Sequence, residues 1–210
     1  MIFNTSLFAQ NLEVIAGLNQ NQFFDDNRDE GHYNSSYQSD RGFAVRIGIE
    51  DIKVDWLKLR FTMGFEQYGG EIDVSDGGQA GDYQTTAEID KSVLSLGLFP
   101  LNFKIWERID LNFGLGFSAL LNESYRGTRS GSIWGGNSWR ENLEERYDNY
   151  SNNTHWGLLG RLAYDFEIDD RYSISPQYSY YLGLSDEFSE FPEDTKSMRH
   201  YFSLGFQWKM

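Results

Sequence analysis

The chain has 210 residues, with 18 Lys and Arg against 32 Asp and Glu, no Cys and a net charge of -14, and its length allows a single domain. The absence of Cys excludes disulfides and thiolate metal sites, and the acidity excludes nucleic acid as the main partner, because phosphate binding needs a concentrated cationic face. With 21 Gly, 13 Tyr, 16 Phe and only 3 Pro, the composition favours strands over helices.

Apolar residues recur at every second position in eight segments of the chain. In the clearest segment, residues 57–66, five apolar side chains alternate with polar residues and glycine. No run of 18 apolar residues exists, which excludes a transmembrane helix, but a membrane-spanning strand needs only about 9–11 residues. The eight predicted strands are residues 12–19, 43–50, 57–66, 91–98, 109–122, 156–168, 172–183 and 201–209.

The connections between the predicted strands alternate between short and long. If successive strands are antiparallel neighbours, every short connection lies at one end of the sheet and every long one at the other. The long connections carry charges of -3, -6, -1 and -4, which together equal the net charge of the chain. They are residues 24–41, 69–90, 123–154 and 185–198, and the short ones are 51–55, 99–107 and 169–171.

The two faces of the predicted sheet differ in polarity. One face carries an unbroken row of Leu, Phe, Val and Ile, whereas the other combines glycine with charged residues. A soluble barrel would place its bulky apolar side chains inside, so this pattern predicts a barrel whose outer face meets lipid and whose charges pair in the lumen. The predicted lumen charge network consists of Arg46, Glu50, Lys58, Arg60, Glu66, Lys91, Asp110, Arg161, Asp165 and Glu167.

The last strand, residues 201–210, is rich in aromatic residues and resembles the C-terminal signal of outer-membrane barrels. The chain as a whole resembles the small eight-stranded outer-membrane barrels of Gram-negative bacteria, of the OmpA transmembrane-domain and OmpX type. This resemblance implies an all-β fold, an eight-stranded antiparallel up-and-down transmembrane β-barrel with short periplasmic turns and long extracellular loops. It further implies a monomer without cofactor that contacts outer-membrane lipid, lipopolysaccharide and the barrel assembly machinery.

The first ten residues resemble the end of a secretory signal peptide, with Ala9 at a plausible cleavage position before Gln10 or Asn11. We therefore expect residues 1–10 to be a signal-peptide remnant and residues 11–210 to form one barrel domain.

The connection 123–154 combines aromatic residues with arginines, a composition that is enriched at binding surfaces. We expect it to contact a protein or a glycan partner, or alternatively to extend its two flanking strands as a hairpin above the membrane. Its candidate binding residues are Tyr125, Trp134, Trp139, Tyr147 and Tyr150.

Metal and catalytic chemistry have weak signals in this sequence. Asp73, Asp76 and Asp82 surround a Gly-rich bend and are a candidate Ca²⁺ site, although the terminal Glu of an EF-hand is absent. A rim histidine, His155 or His200, with Ser203 would be the candidate site of a lipid-modifying enzyme. No motif fixes such a geometry, so we expect no enzymatic activity.

Two further alternatives remain open from the sequence. A soluble lipocalin-like carrier would need an apolar pocket inside the barrel. An OmpW-like transporter of small hydrophobic molecules would need an apolar lumen lining, which the charged and Gly-rich inward rows do not predict. Because eight strands leave an interior that side chains can fill, we expect no continuous water channel.

Overall fold

A computed structural model describes residues 11–25, 33–54, 57–78, 81–106, 108–133, 136, 138–145, 150–189 and 194–210. Almost all of these residues form antiparallel strands, and a short 3-10 turn spans Leu143–Glu145. No helix in the described ranges is long and apolar enough to cross a membrane. The strands are β1 Asn11–Asp25, β2 Tyr33–Val54, β3 Leu57–Gly78, β4 Gly81–Ile105, β5 Ile109–Ile133, β6 Ser138–Asn142, β7 Thr154–Tyr164, β8 Phe166–Glu167, β9 Tyr172–Gly183 and β10 Thr195–Lys209.

The sheet closes on itself because the first and last strands pair along their whole length, from Asn11 opposite Lys209 to Asp25 opposite Thr195. The eight barrel strands are β1 to β5, β7, β9 and β10, each antiparallel to both neighbours. β8 pairs with the start of β9, and β6 folds back on the end of β5. The predicted eight-stranded antiparallel barrel is confirmed.

Apolar side chains cover the outside of the barrel. In β10, Phe202, Leu204 and Phe206 are 61%, 54% and 47% exposed, whereas the inward-facing Tyr201 and Gln207 are 1% and 5% exposed. A sheet with its apolar rows outside and its polar rows inside would be unstable in water, because each Å² of exposed apolar surface costs about 25 cal/mol. The solvent of this belt is therefore lipid, and the soluble lipocalin-like alternative is wrong.

Four strands extend far beyond the length that a bilayer requires. β4 and β5 have 25 residues each, where about 9–11 span the hydrocarbon layer. At the end of the barrel that carries the long connections, here the upper end, β3 and β4 continue as a paired hairpin to Gly78 opposite Gly81. Much of the predicted connections 69–90 and 123–154 is thus regular strand. From Gln67 to Gly78 the extension measures about 35–40 Å along the strand.

The polarity of the sheet inverts where this extension begins. Along the outward row of β4, the exposed Leu94 is followed upward by the exposed Asp90 and Glu88. Along its inward row, Ile89 and Ala87 are buried. Lipid is thus the solvent below this level and water is the solvent above it. We call the upper part, residues 33–41, 68–78, 81–90, 123–133 and 138–142, the extracellular sheet.

Candidate functional site

The interior of the barrel contains ion pairs arranged in layers, and the lower layer is centred on Glu13 of β1. Glu13 is 1% exposed and accepts hydrogen bonds from Arg60 and Gln177, and Arg161 Nη2 lies 3.4 Å from it. Arg60 also pairs with Glu50, and Arg161 donates to Asn112 Oδ1 at 2.7 Å. The residue of β10 at the level of this layer is Gly205, and a Cβ at that position would lie 2.1 Å from Glu13 Oε1. The absence of a side chain at this position is therefore required for the network to form.

The middle layer is centred on Glu66 of β3, which is 1% exposed. Its carboxylate accepts hydrogen bonds from Arg46 Nε at 2.9 Å, Arg199 Nη1 at 3.0 Å and the Tyr201 hydroxyl at 2.8 Å. The Arg199 guanidinium also stacks on an aromatic ring, 4.0 Å from the centroid of Tyr181. Two cations thus share one carboxylate, and aromatic faces supply the remaining stabilisation.

The upper layer joins β4 to the connection between β9 and β10. Lys91 Nζ donates to Glu187 Oε2 at 2.7 Å, and both side chains are 1% exposed. Ser197 donates to the same carboxylate, and His155 Nε2 lies 3.6 Å from it. Burial alone would raise the pKa of Glu187, but the charges of Lys91, His155 and Arg199 together outweigh it and hold that pKa well below its ordinary value.

Above the ion pairs, the inner face of the extracellular sheet packs into an apolar cluster. The connections after β6 and β9 fold over it, and Ser151 and Phe188 form a bridge between them. The interior above the ion pairs is therefore apolar, unlike the charged and Gly-rich inward rows predicted for the barrel strands. The buried members are Phe23, Tyr68, Ile72, Val74, Ala87, Ile89, Val93, Leu143, Tyr150 and Phe188.

Free space inside the barrel differs between its two ends. A cavity of about 310 Å³ opens at the lower mouth and is lined by charged and amide side chains, including Lys58, Asp110 and Asp165. Cavities of about 10 Å³ lie in the middle layer and in the apolar cluster, each with room for about one water molecule.

The structure brings some of the predicted network together and separates the rest. Six of the ten predicted residues lie in the three layers, namely Arg46, Glu50, Arg60, Glu66, Lys91 and Arg161. The other four lie at the lower mouth. There Lys58 is exposed, Asp110 is 3.9 Å from Lys104, Asp165 accepts from Ser175, and Glu167 forms an exposed pair with Lys209 at 2.8 Å.

The predicted network omitted four charged or titratable members of the interior sites, namely Glu13, Arg199, Glu187 and His155. The predicted last strand began at residue 201, but alternation continues upward from it, and Thr195, Ser197 and Arg199 all face inward and are buried. That period-2 row was a usable signal for Arg199. Glu187 lies in a connection, where no periodic pattern exists.

The candidate binding residues of the connection 123–154 fall into two groups. Tyr125 and Tyr150 lie in or against the apolar cluster with ring centroids 4.9 Å apart, and burial raises the pKa of Tyr125. Trp139 is 39% exposed on β6. Trp134 and Tyr147, like residues 1–10, lie outside the described residues. Of the two strands that flank this connection, only β5 extends upward, where it pairs with β4 and, at its end, with β6. β7 begins at Thr154 opposite Ala119, so the two flanking strands do not extend together as a hairpin, and the alternative interpretation is wrong in this respect.

The candidate Ca²⁺ residues do not converge. Asp73 lies in regular strand, where its carboxylate accepts from Thr86 at 3.2 Å, because β3 and β4 pair through the whole segment. Among the described residues, no group of three His, Asp or Glu side chains is placed to hold a metal ion.

The candidate catalytic residues are also separated. His200 faces outward and its Nδ1 lies 2.8 Å from the Tyr178 hydroxyl, whereas Ser203, at odd spacing on the same strand, belongs to the inward row. A hydrogen bond between His200 and Ser203 is therefore excluded in this arrangement.

Comparison with known proteins identifies similar folds. No protein-family model and no curated protein matches the chain. Among solved structures, Ail of Yersinia pestis, bound to the heparin analogue sucrose octasulfate, is 15% identical with a TM-score of 0.40 and covers 95% of this chain and 99% of its own. Neisserial surface protein A is 14% identical with a TM-score of 0.42, covering 95% and 97%. OprG from Pseudomonas aeruginosa is 13% identical with a TM-score of 0.43, covering 96% and 97%.

The closed antiparallel sheet, its apolar outer belt and its ion-paired interior share one physical explanation. In hydrocarbon every backbone polar group must be paired, and a closed barrel of alternating apolar-out and polar-in strands satisfies that requirement. This chain is an integral outer-membrane β-barrel of the small eight-stranded type.

Proposed function

We propose that the barrel is a closed membrane anchor that presents its extracellular sheet to a partner on the outside of the cell. In this proposal the ion-paired lumen conducts no solute, and the surface role belongs to the acidic and aromatic upper part of the molecule. The observation that carries the proposal is the inversion of polarity along β4, which makes the sheet above the membrane a water-exposed structure with its own apolar core.

The packing of the interior supports a closed lumen. Three layers of paired charges and an apolar cluster follow one another along the barrel axis, and the cavities described in the middle layer and in the apolar cluster are about 10 Å³ each. Water or a solute would have to separate charges such as Lys91 and Glu187, which are buried and have few alternative partners. Among the described residues the apolar side chains leave a cavity of about 10 Å³ at this level, which is too small for the ligand of an OmpW-like transporter.

The geometry of the extracellular sheet supports a surface role. Its outward face carries only polar residues along β4, with Glu88 and Asp90 paired to Arg126 of β5 at 3.0 and 3.5 Å. A polar sheet that rises tens of ångströms above the hydrocarbon layer has no role in membrane insertion. Exposed aromatic and arginine side chains on such a sheet are typical of contact surfaces.

Two measurements test this proposal. Purified barrel in planar bilayers is expected to show no conductance steps above leakage, and stable single-channel steps would refute the closed lumen. A variant in which residues 129–141 are replaced by two glycines is expected to lose binding to target cells or extracellular matrix while it keeps its folded mobility on unboiled gels. The matched control, Glu167→Gln at the opposite mouth, is expected to bind as the wild type does. If the shortened variant binds as well as the wild type, the proposal that this hairpin contacts the partner is refuted.

A further inference from the structure

The end of the β5–β6 hairpin holds an exposed aromatic residue in a preorganised position. Trp139 of β6 lies directly opposite Gly131 of β5, and a Cβ at Gly131 would meet three atoms of the indole ring at 2.8–2.9 Å. One face of the ring therefore covers the glycine backbone. Because Trp139 is still 39% exposed, its accessible area lies on the side away from Gly131.

Two neighbours fix this ring further. Tyr83 of β4 packs against it edge to face, with ring centroids 5.6 Å apart and an interplanar angle of 67°. The Arg129 guanidinium in turn lies 4.9 Å from the centre of the Tyr83 ring and is 6% exposed. We call Tyr83, Arg129, Gly131 and Trp139 the aromatic platform. A ring that is already fixed loses little conformational entropy when a ligand stacks on it.

The charges around the aromatic platform decide the chemistry of its ligand. Glu141 lies directly opposite Arg129 in the β5–β6 pair, so the positive charge of Arg129 in the platform is balanced by a neighbouring carboxylate. Asp76 lies opposite Tyr83, and Asp82 precedes Tyr83, so an anionic ligand would be repelled. The buried guanidinium beside Tyr83 already occupies the cation-binding position of that ring, which disfavours a second cation.

We infer that the aromatic platform binds the face of an uncharged sugar ring, as part of a neutral oligosaccharide. The C–H groups on one face of a hexose pack against an aromatic ring, while hydroxyl groups at its edge hydrogen bond to neighbouring carboxylate, guanidinium and phenol groups. Trp139 supplies the stacking surface, and Glu141 and Tyr83 supply polar groups on the same face of the hairpin. This inference rests on the proposed surface role and names the partner class of that same hairpin.

The test uses the full-length barrel in detergent micelles and saturation-transfer NMR with three neutral probes, maltohexaose, cellohexaose and mannohexaose. At least one is expected to bind, with an affinity that falls about tenfold or more in Trp139→Ala, the scale of a lost stacking contact, and by much less in Trp139→Phe. The matched control Trp156→Ala removes a tryptophan from the lipid-facing belt and is expected to leave binding unchanged. Unboiled gels verify that each variant is folded.

Several outcomes overturn the inference. Absence of binding by all three neutral probes does so, as does binding that survives Trp139→Ala. Preferential binding of a sulfated oligosaccharide or of a Lys- and Arg-rich peptide at Trp139 would assign the platform to a charged partner instead. If no probe binds but removal of residues 129–141 still abolishes attachment to cells, the proposed surface role stands and only the sugar assignment fails.

Discussion

The middle layer makes a quantitative prediction about the stability of the barrel. Glu66 accepts hydrogen bonds from both Arg46 and Arg199, and its side chain is 1% exposed. Glu66→Ala leaves two buried guanidinium groups without that carboxylate and the Tyr201 hydroxyl without its acceptor. Breaking a buried ion pair on one side costs about 3–5 kcal/mol, so we expect a loss of unfolding free energy in that range.

Two variants separate the effect of charge from the effect of a lost side chain. Glu66→Gln keeps an oxygen that accepts hydrogen bonds and should cost less than Glu66→Ala. The double variant with Arg199→Met removes one of the two stranded cations, so it should be less destabilised than the sum of the single variants. As an exposed control, Arg126→Ala breaks a pair whose arginine is 58% exposed and should cost about 0–1 kcal/mol.

The measurement is urea unfolding of the barrel in lipid vesicles, followed by tryptophan fluorescence and by mobility on unboiled gels. A loss below about 1 kcal/mol for Glu66→Ala would refute the reasoning, because the ion pairs would then be solvated and not buried.

Three further predictions concern acid, lipid and packing. The pKa of Glu187 is depressed in the folded state, so its contribution to stability is complete above its ordinary pKa of 4.5 and is lost as pH falls below it towards the folded value. The urea midpoint of the wild type should therefore drop between pH 5 and pH 3 more than that of Glu187→Gln, and equal drops would contradict this assignment. Leu204→Arg on the lipid-facing row should cost about 2–4 kcal/mol in vesicle unfolding, whereas Gln84→Arg on the outward face of the extracellular sheet should cost almost nothing; similar costs would refute the membrane boundary. Gly205→Val should destabilise the barrel by about 1–3 kcal/mol in the same assay, because its Cβ would overlap Glu13 Oε1 and Gln177 Nε2, and a neutral effect would show that the lower layer adapts freely.

The parts of the fold that lie in lipid were predictable from the sequence, because one solvent acts on one face of each strand. Apolar residues such as Phe202 and Leu204 identify the lipid-facing row of a strand. Because side chains alternate between the two faces, the residues next to them in sequence are then known to face inward. The predicted strands end where the outward row no longer consists of apolar residues. Above the membrane Lys196, Met198 and His200 occupy the same row, so the alternation loses its apolar members although the strand continues.

The upper site was less predictable because its partners are distant in sequence and belong to irregular segments. Lys91 and Glu187 are 96 residues apart, and no local pattern relates them. The apolar cluster likewise depends on which connection folds over the barrel, as when Phe188 packs against Phe23 with ring centroids 5.5 Å apart. Tertiary packing decides such contacts, and periodicity carries no information about them.

The reversal of polarity along β4 also determines how deep the molecule lies in its membrane. Immersion by a few further ångströms would bring Asp90 and the neighbouring outward carboxylates into acyl chains, and withdrawal by the same amount would expose the Leu94 row to water. Both displacements are penalised, so the protein has a preferred bilayer thickness. In a bilayer thicker than the apolar belt the surrounding lipids would have to compress, so the barrel should partition towards membranes whose thickness matches that belt.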